Sequence, residues 1–132
     1  MSRHLIVLPD DSPKDFLKAI AKAKESLRIK MFIFSDPAMR KAVITAHKRG
    51  VKVRVMLNPV RRDGTGENKA TRAALLAAGV EVMDSNPKFP VTHEKSMVVD
   101  SRIAFINSLN WDTENLEETR DYSIRTKHAH EV

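Results

Sequence analysis

Cysteine is absent from the 132 residues, which excludes a disulfide scaffold, a zinc ribbon and a thiol nucleophile. Also absent is any apolar run near the roughly 18 residues that a membrane span needs. The opening stretch, Met1-Ser2-Arg3-His4-Leu5-Ile6-Val7-Leu8-Pro9, is too briefly apolar for a secretory signal, so the expected location is cytoplasmic. No linker, low-complexity tract or internal repeat interrupts the chain. What is there suffices for a core, since 42% of the residues are hydrophobic and 30% charged. The length fits one domain over residues 1–132. Lys and Arg number 23 against 17 Asp and Glu, a formal net charge of +6. That balance favours partners that carry phosphate, nucleic acid or anionic lipid, without choosing between them.

Periodicity orders the chain. Ser12 and Pro13 read as a helix start with Asp15 at the acidic end of the dipole. Phe16, Ile20, Ala23 and Leu27 then recur at helical spacing. Residues 27–34 alternate, which predicts a strand with Leu27, Ile29, Met31 and Ile33 on one face. Asp36-Pro37 opens a second helix that turns Met39, Ala42, Val43 and Ala46 inward, and Gly50 ends it. Residues 51–57 form a second strand, 58–66 a polar loop, 67–78 a third helix stopped by Gly79, and 80–83 a short strand. Strands over 96–100 and 102–106 meet at a tight turn, Asp100-Ser101; residues 107–119 read as loop and 121–126 as a last strand. Strand-helix-strand-helix-strand predicts an α/β fold with a mixed, mostly parallel sheet flanked by helices.

The chemistry gathers at Thr92-His93-Glu94-Lys95-Ser96-Met97-Val98-Val99-Asp100. Residues two apart on an extended segment share a face, so His93 and Lys95 emerge together at the mouth of a strand. An imidazole beside a fixed ammonium suits attack on phosphorus, whose equatorial oxygens need positive charge. Asp100 lies at the far end of that strand, where orienting or balancing charge fits better than touching substrate. The hairpin returns Ser108 and Asn110 to the His93 end, and both can hydrogen-bond a phosphate. Asp121, opening the last strand, is placed to hold the second nitrogen of His93 and fix its tautomer.

His-x-Lys-x-x-x-x-Asp at 93–100, Ser108-x-Asn110 and the acidic Asp121 resemble the phospholipase D superfamily, also called the HKD family. The Ala-Lys-x-x-Leu run at 23–27, the strand entry Arg49-Gly50-Val51-Lys52-Val53-Arg54-Val55 and the order of elements resemble it too. The resemblance implies an α-β-α sandwich. It also implies a phosphodiesterase or phosphatidyltransferase that needs no metal or other cofactor and acts on nucleic acid or phospholipid. Two motifs face each other across a two-fold axis in that family; one His forms a phosphohistidine and the other protonates the leaving oxygen. Carried over, His93 is the nucleophile or acid, Lys95 and Asn110 bind phosphate oxygens, Ser108 supports them, and Asp121 orients His93. Asn107 stands where the family has Gly, and Asn tolerates a left-handed backbone. Asp121 stands where the family has Glu, one methylene longer. Only one motif is present, so a homodimer or a missing second half is expected. The chain stops soon after its last strand, where the family adds a helix, so truncation is a further expectation. The reading from another class is a non-catalytic module that binds nucleic acid or a phospholipid headgroup.

Other cues carry less. His93-Glu94 lacks the second His of a zinc protease, since Met97 occupies that place. His128 and His130 fall in a tail expected to fray. Arg61, Arg62 and Lys69 read as solvated charge, and Gly64-Thr65-Gly66 lacks the Gly-Lys-Ser/Thr of a phosphate loop. Trp111 reads as packing.

Overall fold

The computed structural model describes residues 2–59, 66, 68–89 and 91–132; Arg61, Arg62 and Gly64-Thr65 lie outside them. Seven strands form one sheet in the order β1-β7-β6-β5-β2-β3-β4. They are β1 (Arg3–Leu8), β2 (Ser26–Met31), β3 (Lys52–Leu57), β4 (Glu81–Asp84), β5 (Lys95–Val99), β6 (Ile103–Asn107) and β7 (Asp121–Thr126). The helices are α1 (Lys14–Lys22), α2 (Pro37–Lys48), α3 (Lys69–Ala77) and the short α4 (Thr113–Glu117). Alternation is clean in β2 and β3: Leu27, Ile29, Met31, Val53, Val55 and Leu57 are buried, while Arg28, Lys30 and Arg54 are exposed. Phe16, Ile20, Met39, Val43, Ala46 and Leu75 of the helices join those strand residues in one core cluster.

The expected mixed sheet with flanking helices forms, and one of its details differs from expectation. Only β2–β3 and β3–β4 pair in parallel, whereas β1–β7, β7–β6, β6–β5 and β5–β2 are antiparallel. The sheet is therefore mostly antiparallel. The reason is that β5 joins β2 antiparallel and β6 and β7 follow it as antiparallel neighbours; β1, a strand the sequence pattern left unassigned, adds one more antiparallel pair along the edge. The described helices all contribute side chains to the one core. The other face stays open, with Leu5, Ile106, Tyr122 and Ile124 each about half exposed. α4 also lay unassigned in a polar stretch; Asp112 caps it through the Glu114 N–H at 3.2 Å, and Leu116 anchors it in the core. Leu27, read at the end of the first helical stripe, belongs instead to β2.

Local chemistry sets the boundaries. Asp36 accepts the Met39 N–H at 2.9 Å and Pro37 sits in the first turn of α2. Gly50 and Gly79 end α2 and α3 with φ of 102° and 87°, a conformation that a Cβ disfavours. The β5–β6 turn is left-handed at both Asp100 and Ser101, φ 53° and 55°, the signature of a tight hairpin turn. The tail does not fray in the structure: Glu131 accepts from the Arg3 guanidinium at 2.9 and 3.1 Å and from the Thr126 hydroxyl at 2.6 Å.

Asp100 has a structural task. Its carboxylate accepts the backbone N–H groups of Lys24, Glu25 and Ser26 at 2.7–3.1 Å, fastening the entry of β2 to the hairpin. Partial burial alone would raise its pKa. The backbone N–H groups of Ser26, Glu25 and Lys24, with the charge of Arg102, outweigh that and hold it below the usual carboxylate value. Because the folded pKa is lowered, the stabilisation is complete above the unfolded-state value and is lost as pH falls through the folded one. Asp100→Asn tolerates the left-handed turn, removes the charge and turns one of the two accepting oxygens into an NH2 donor. It should cost about 1–2 kcal/mol at pH 7 by urea unfolding. The gap to wild type should close below about pH 4.

Candidate functional site

β2, β3 and β4 end at the same edge of the sheet where β5 and β7 begin and β6 ends. From β2 the chain steps one way to β3 and β4, while β5, β6 and β7 lie on the other side of it. The carboxyl end of β2 is thus a switch point, the place where open α/β sheets leave a crevice for ligands. The predicted site residues His93, Lys95, Ser108, Asn110 and Asp121 all belong to segments that meet at this end. Asp100 does not; it sits at the opposite end of β5, where it fastens the entry of β2.

Lys95 is the first residue of β5 and pairs with Met31, so its stem is buried with only 6% of the residue exposed. Its ammonium lies 2.8 Å from Nδ1 and 3.2 Å from Nε2 of His93, and it donates to the His93 carbonyl at 3.0 Å. His93 itself is exposed. Burial lowers the pKa of the His93 imidazole, and the Lys95 charge lowers it further. Burial likewise lowers Lys95, and the Asp121 carboxylate acts in the opposite sense, favouring the ammonium. The result is an imidazole biased toward the neutral form beside a partly desolvated cation.

Asp121 is bound by hydroxyls. Ser108 Oγ donates to its Oδ1 at 2.9 Å, and Thr119 Oγ1 donates to its Oδ2 at 2.5 Å. No hydrogen bond joins it to His93 among the described residues, so the triad-like contact expected of it is not made within this chain. Ser108 Oγ also accepts the Tyr122 N–H at 3.0 Å. With its one O–H spent on Asp121, Ser108 has no donor left for a phosphate in this arrangement. Asn110 fits its expected place better. Its Oδ1 accepts the Ile33 N–H at 3.1 Å, and its Nδ2 donor has no partner among the described residues. Asn107 does not use the left-handed conformation; its Oδ1 instead accepts from Ser123 Oγ at 2.5 Å. Trp111 packs in the core, edge-on to Phe34 at 4.9 Å.

Three contributors escaped the sequence reading. Phe32, just past β2, sets its ring 4.7 Å from the His93 ring, and the Lys95 ammonium lies 5.6 Å from the same ring. Thr119 shares Asp121 with Ser108. Asn68 ties down the chain around Phe32, as described below. Phe32 was hidden by the alternation that made residues 27–34 a strand, and Asn68 by its place at a helix start. His128 and His130 lie with ring centroids 5.7 Å apart; among the described residues no group of three or more His, Cys, Asp or Glu could hold a metal ion. A cleft of about 440 Å³ opens beside His93 and Lys95, bordered by Ile106, Asn107 and Glu131.

A family model described as "Cardiolipin synthase, PLD-like domain" matches residues 16–132. Human mitochondrial cardiolipin hydrolase is 34% identical over 112 residues, covering 84% of this chain and 42% of its own length. Cardiolipin synthase B of Escherichia coli is 33% identical over 130 residues, covering 82% of this chain and 30% of its own. The chain therefore spans less than half of either curated relative. Among solved structures, Nuc of Salmonella typhimurium, a phospholipase D family member, superposes with a TM-score of 0.82 at 28% identity. That match covers 94% of this chain and 81% of Nuc.

The contact between Lys95 and His93 is directly testable. Lys95→Met keeps the buried stem and removes the positive neighbour, so the His93 imidazole should titrate at higher pH, closer to the ordinary 6.5. NMR titration of the imidazole C–H signals measures it. An unmoved midpoint would mean the ammonium does not lie against the ring.

Proposed function

Because the chain belongs to the phospholipase D-like domain family, we propose that it is a phosphodiesterase or phosphatidyl-transferring half-site in which His93 meets the phosphorus. The observation that carries this reading is the contact between exposed His93 and buried Lys95 at the switch point of the sheet. A cation fixed by its buried stem cannot move away as charge builds on the equatorial oxygens, which is what preorganised stabilisation requires. Asn110 adds an amide donor; Asp121, held by Ser108 and Thr119, supplies a charge that favours the Lys95 ammonium against the burial that lowers its pKa. The substrate is a phosphodiester of a lipid or a nucleic acid, in keeping with the names of the relatives.

In the proposed reaction a ring nitrogen of one His attacks phosphorus while the bond to the leaving oxygen breaks. A second His gives that oxygen its proton. Water, or an alcohol in the transferase version, then adds to phosphorus, gives a proton back to the second His, and frees the first. The nucleophile and the acid must stand roughly in line on opposite sides of phosphorus, so one His cannot fill both places. No other histidine contacts His93 among the described residues, which supports the reading that the second comes from another copy or another segment. An isologous pairing would bring two His93 residues together across a two-fold axis.

The test uses bis(p-nitrophenyl) phosphate, single-stranded DNA and cardiolipin vesicles, each with EDTA. Cleavage should persist in chelator and fall by at least about 10²-fold in His93→Asn. Turnover per chain should drop on dilution, and mixing in His93→Asn should lower it further. Undiminished turnover by a strict monomer would remove the two-copy reading. Binding without cleavage at any concentration would support the non-catalytic module instead.

A further inference from the structure

Asn68 precedes the first residue of α3, the position where an Asn side chain normally caps a helix for about 1 kcal/mol. Here it makes no cap hydrogen bond. Its side chain reaches across to the segment that follows β2, accepting the Phe34 N–H at 2.7 Å and donating to the Phe32 carbonyl at 2.9 Å. The same amide donates to the Asn58 carbonyl at 2.9 Å. Asn58 in turn accepts the Thr92 N–H at 3.3 Å and the Ser85 hydroxyl at 3.4 Å through its Oδ1. Asn68 and Asn58 are 4% and 6% exposed, so these bonds form where unmade ones would be costly. Two routes therefore converge on His93. One runs through the backbone, from Asn58 to Thr92, the residue before it. The other runs through Phe32, whose ring touches the imidazole and lies under the Lys95 ammonium.

A local preference has been given up, and what replaces it holds the neighbours of the reacting group. Departures of that kind concentrate at functional sites. The aromatic face offers the ammonium a weak attraction and gives the imidazole a flat wall. Without that wall the exposed His93 side chain is free to choose other rotamers, and Lys95 loses the surface that keeps it alongside. A misplacement of about 1 Å at a reacting group can cost on the order of 10²-fold in rate.

We propose that Phe32, fastened by Asn68, is a positioning residue that sets the orientation of His93 and its contact with Lys95. The proposal rests on the reading of His93 as the group that meets phosphorus. Charged neighbours of this cluster are Lys95, in contact with the imidazole, and Asp121, acting through Lys95.

The experiment compares Phe32→Leu, which keeps bulk and loses the aromatic face, with Phe32→Tyr, which keeps the face. His93 signals are assigned by their loss in His93→Asn, and each variant's fold is checked by amide NMR spectra. In Phe32→Leu the His93 midpoint should rise as the ring becomes better solvated. Its kcat should fall about 10- to 100-fold with KM little changed. Phe32→Tyr should restore both. A folded Phe32→Leu protein whose His93 midpoint and kcat match wild type overturns the proposal, as does a Phe32→Tyr protein no better than Leu. A folded wild-type chain that cleaves no phosphodiester, yet whose His93 midpoint responds to Phe32 as stated, supports the positioning and overturns the proposed activity.

Discussion

The run of chain from Phe32 to Asp36 is the constraint on which the site depends. It leaves the sheet at the end of β2 and is then held from two sides. Asn68 takes its Phe34 N–H and Phe32 carbonyl. Asn110 takes the Ile33 N–H, and the Trp111 backbone donates to the Ile33 carbonyl and accepts from Ser35 and Asp36. Buried hydrogen bonds of this sort add modest net stability, yet breaking one leaves a costly orphan. The consequence is geometric: a segment that would otherwise be a loop becomes a rigid bracket between the β6–α4 connection and the start of α3. Thr113 closes it by donating to Asp36 at 2.6 Å, which joins α4 to the start of α2.

Electrostatics then follow from where the bracket puts each charge. Lys95 is on the inward face of β5 because of strand parity, next to Met31 and away from bulk water. An ammonium there costs desolvation, which the Asp121 charge opposes. Asp121 is kept from wandering by two hydroxyls, so its charge stays directed at Lys95. The imidazole outside inherits a lowered pKa from both burial and that cation. One buried stem thus links the packing of the sheet to the protonation of the surface histidine.

The open face of the sheet belongs to the same logic. The described helices cover only the face that carries the core, and the alternation of β2 and β3 sends Arg28, Lys30 and Arg54 to the other side. On the antiparallel half that outer face is apolar instead, through Leu5, Ile106, Tyr122 and Ile124. The site lies at the end of the sheet between these two surfaces, which leaves His93 accessible while its partner Lys95 is enclosed.

Much of this was readable from residue order. Strand and helix periods located β2, β3, β5, β6 and β7 and the three longer helices, because each has a buried face whose apolar residues recur at a fixed interval. The His-x-Lys spacing placed two side chains on one face for the same reason, and the hairpin turn brought Ser108 and Asn110 back to them. β1 and α4 were missed, since a short edge strand and a five-residue helix carry too little pattern to stand out. The balance of antiparallel pairing escaped because partner choice between strands is a long-range matter. The partners of Asp121, the use of Asn68 as a tie rather than a cap, and the contact of Phe32 with His93 were decided by tertiary structure alone. Apart from Thr119, which is two residues from Asp121, each joins residues far apart in the chain, and a hydrogen bond or ring contact across such a separation leaves no period in the sequence. Local spacing determined which groups could do chemistry; only the folded sheet decided which of them touch.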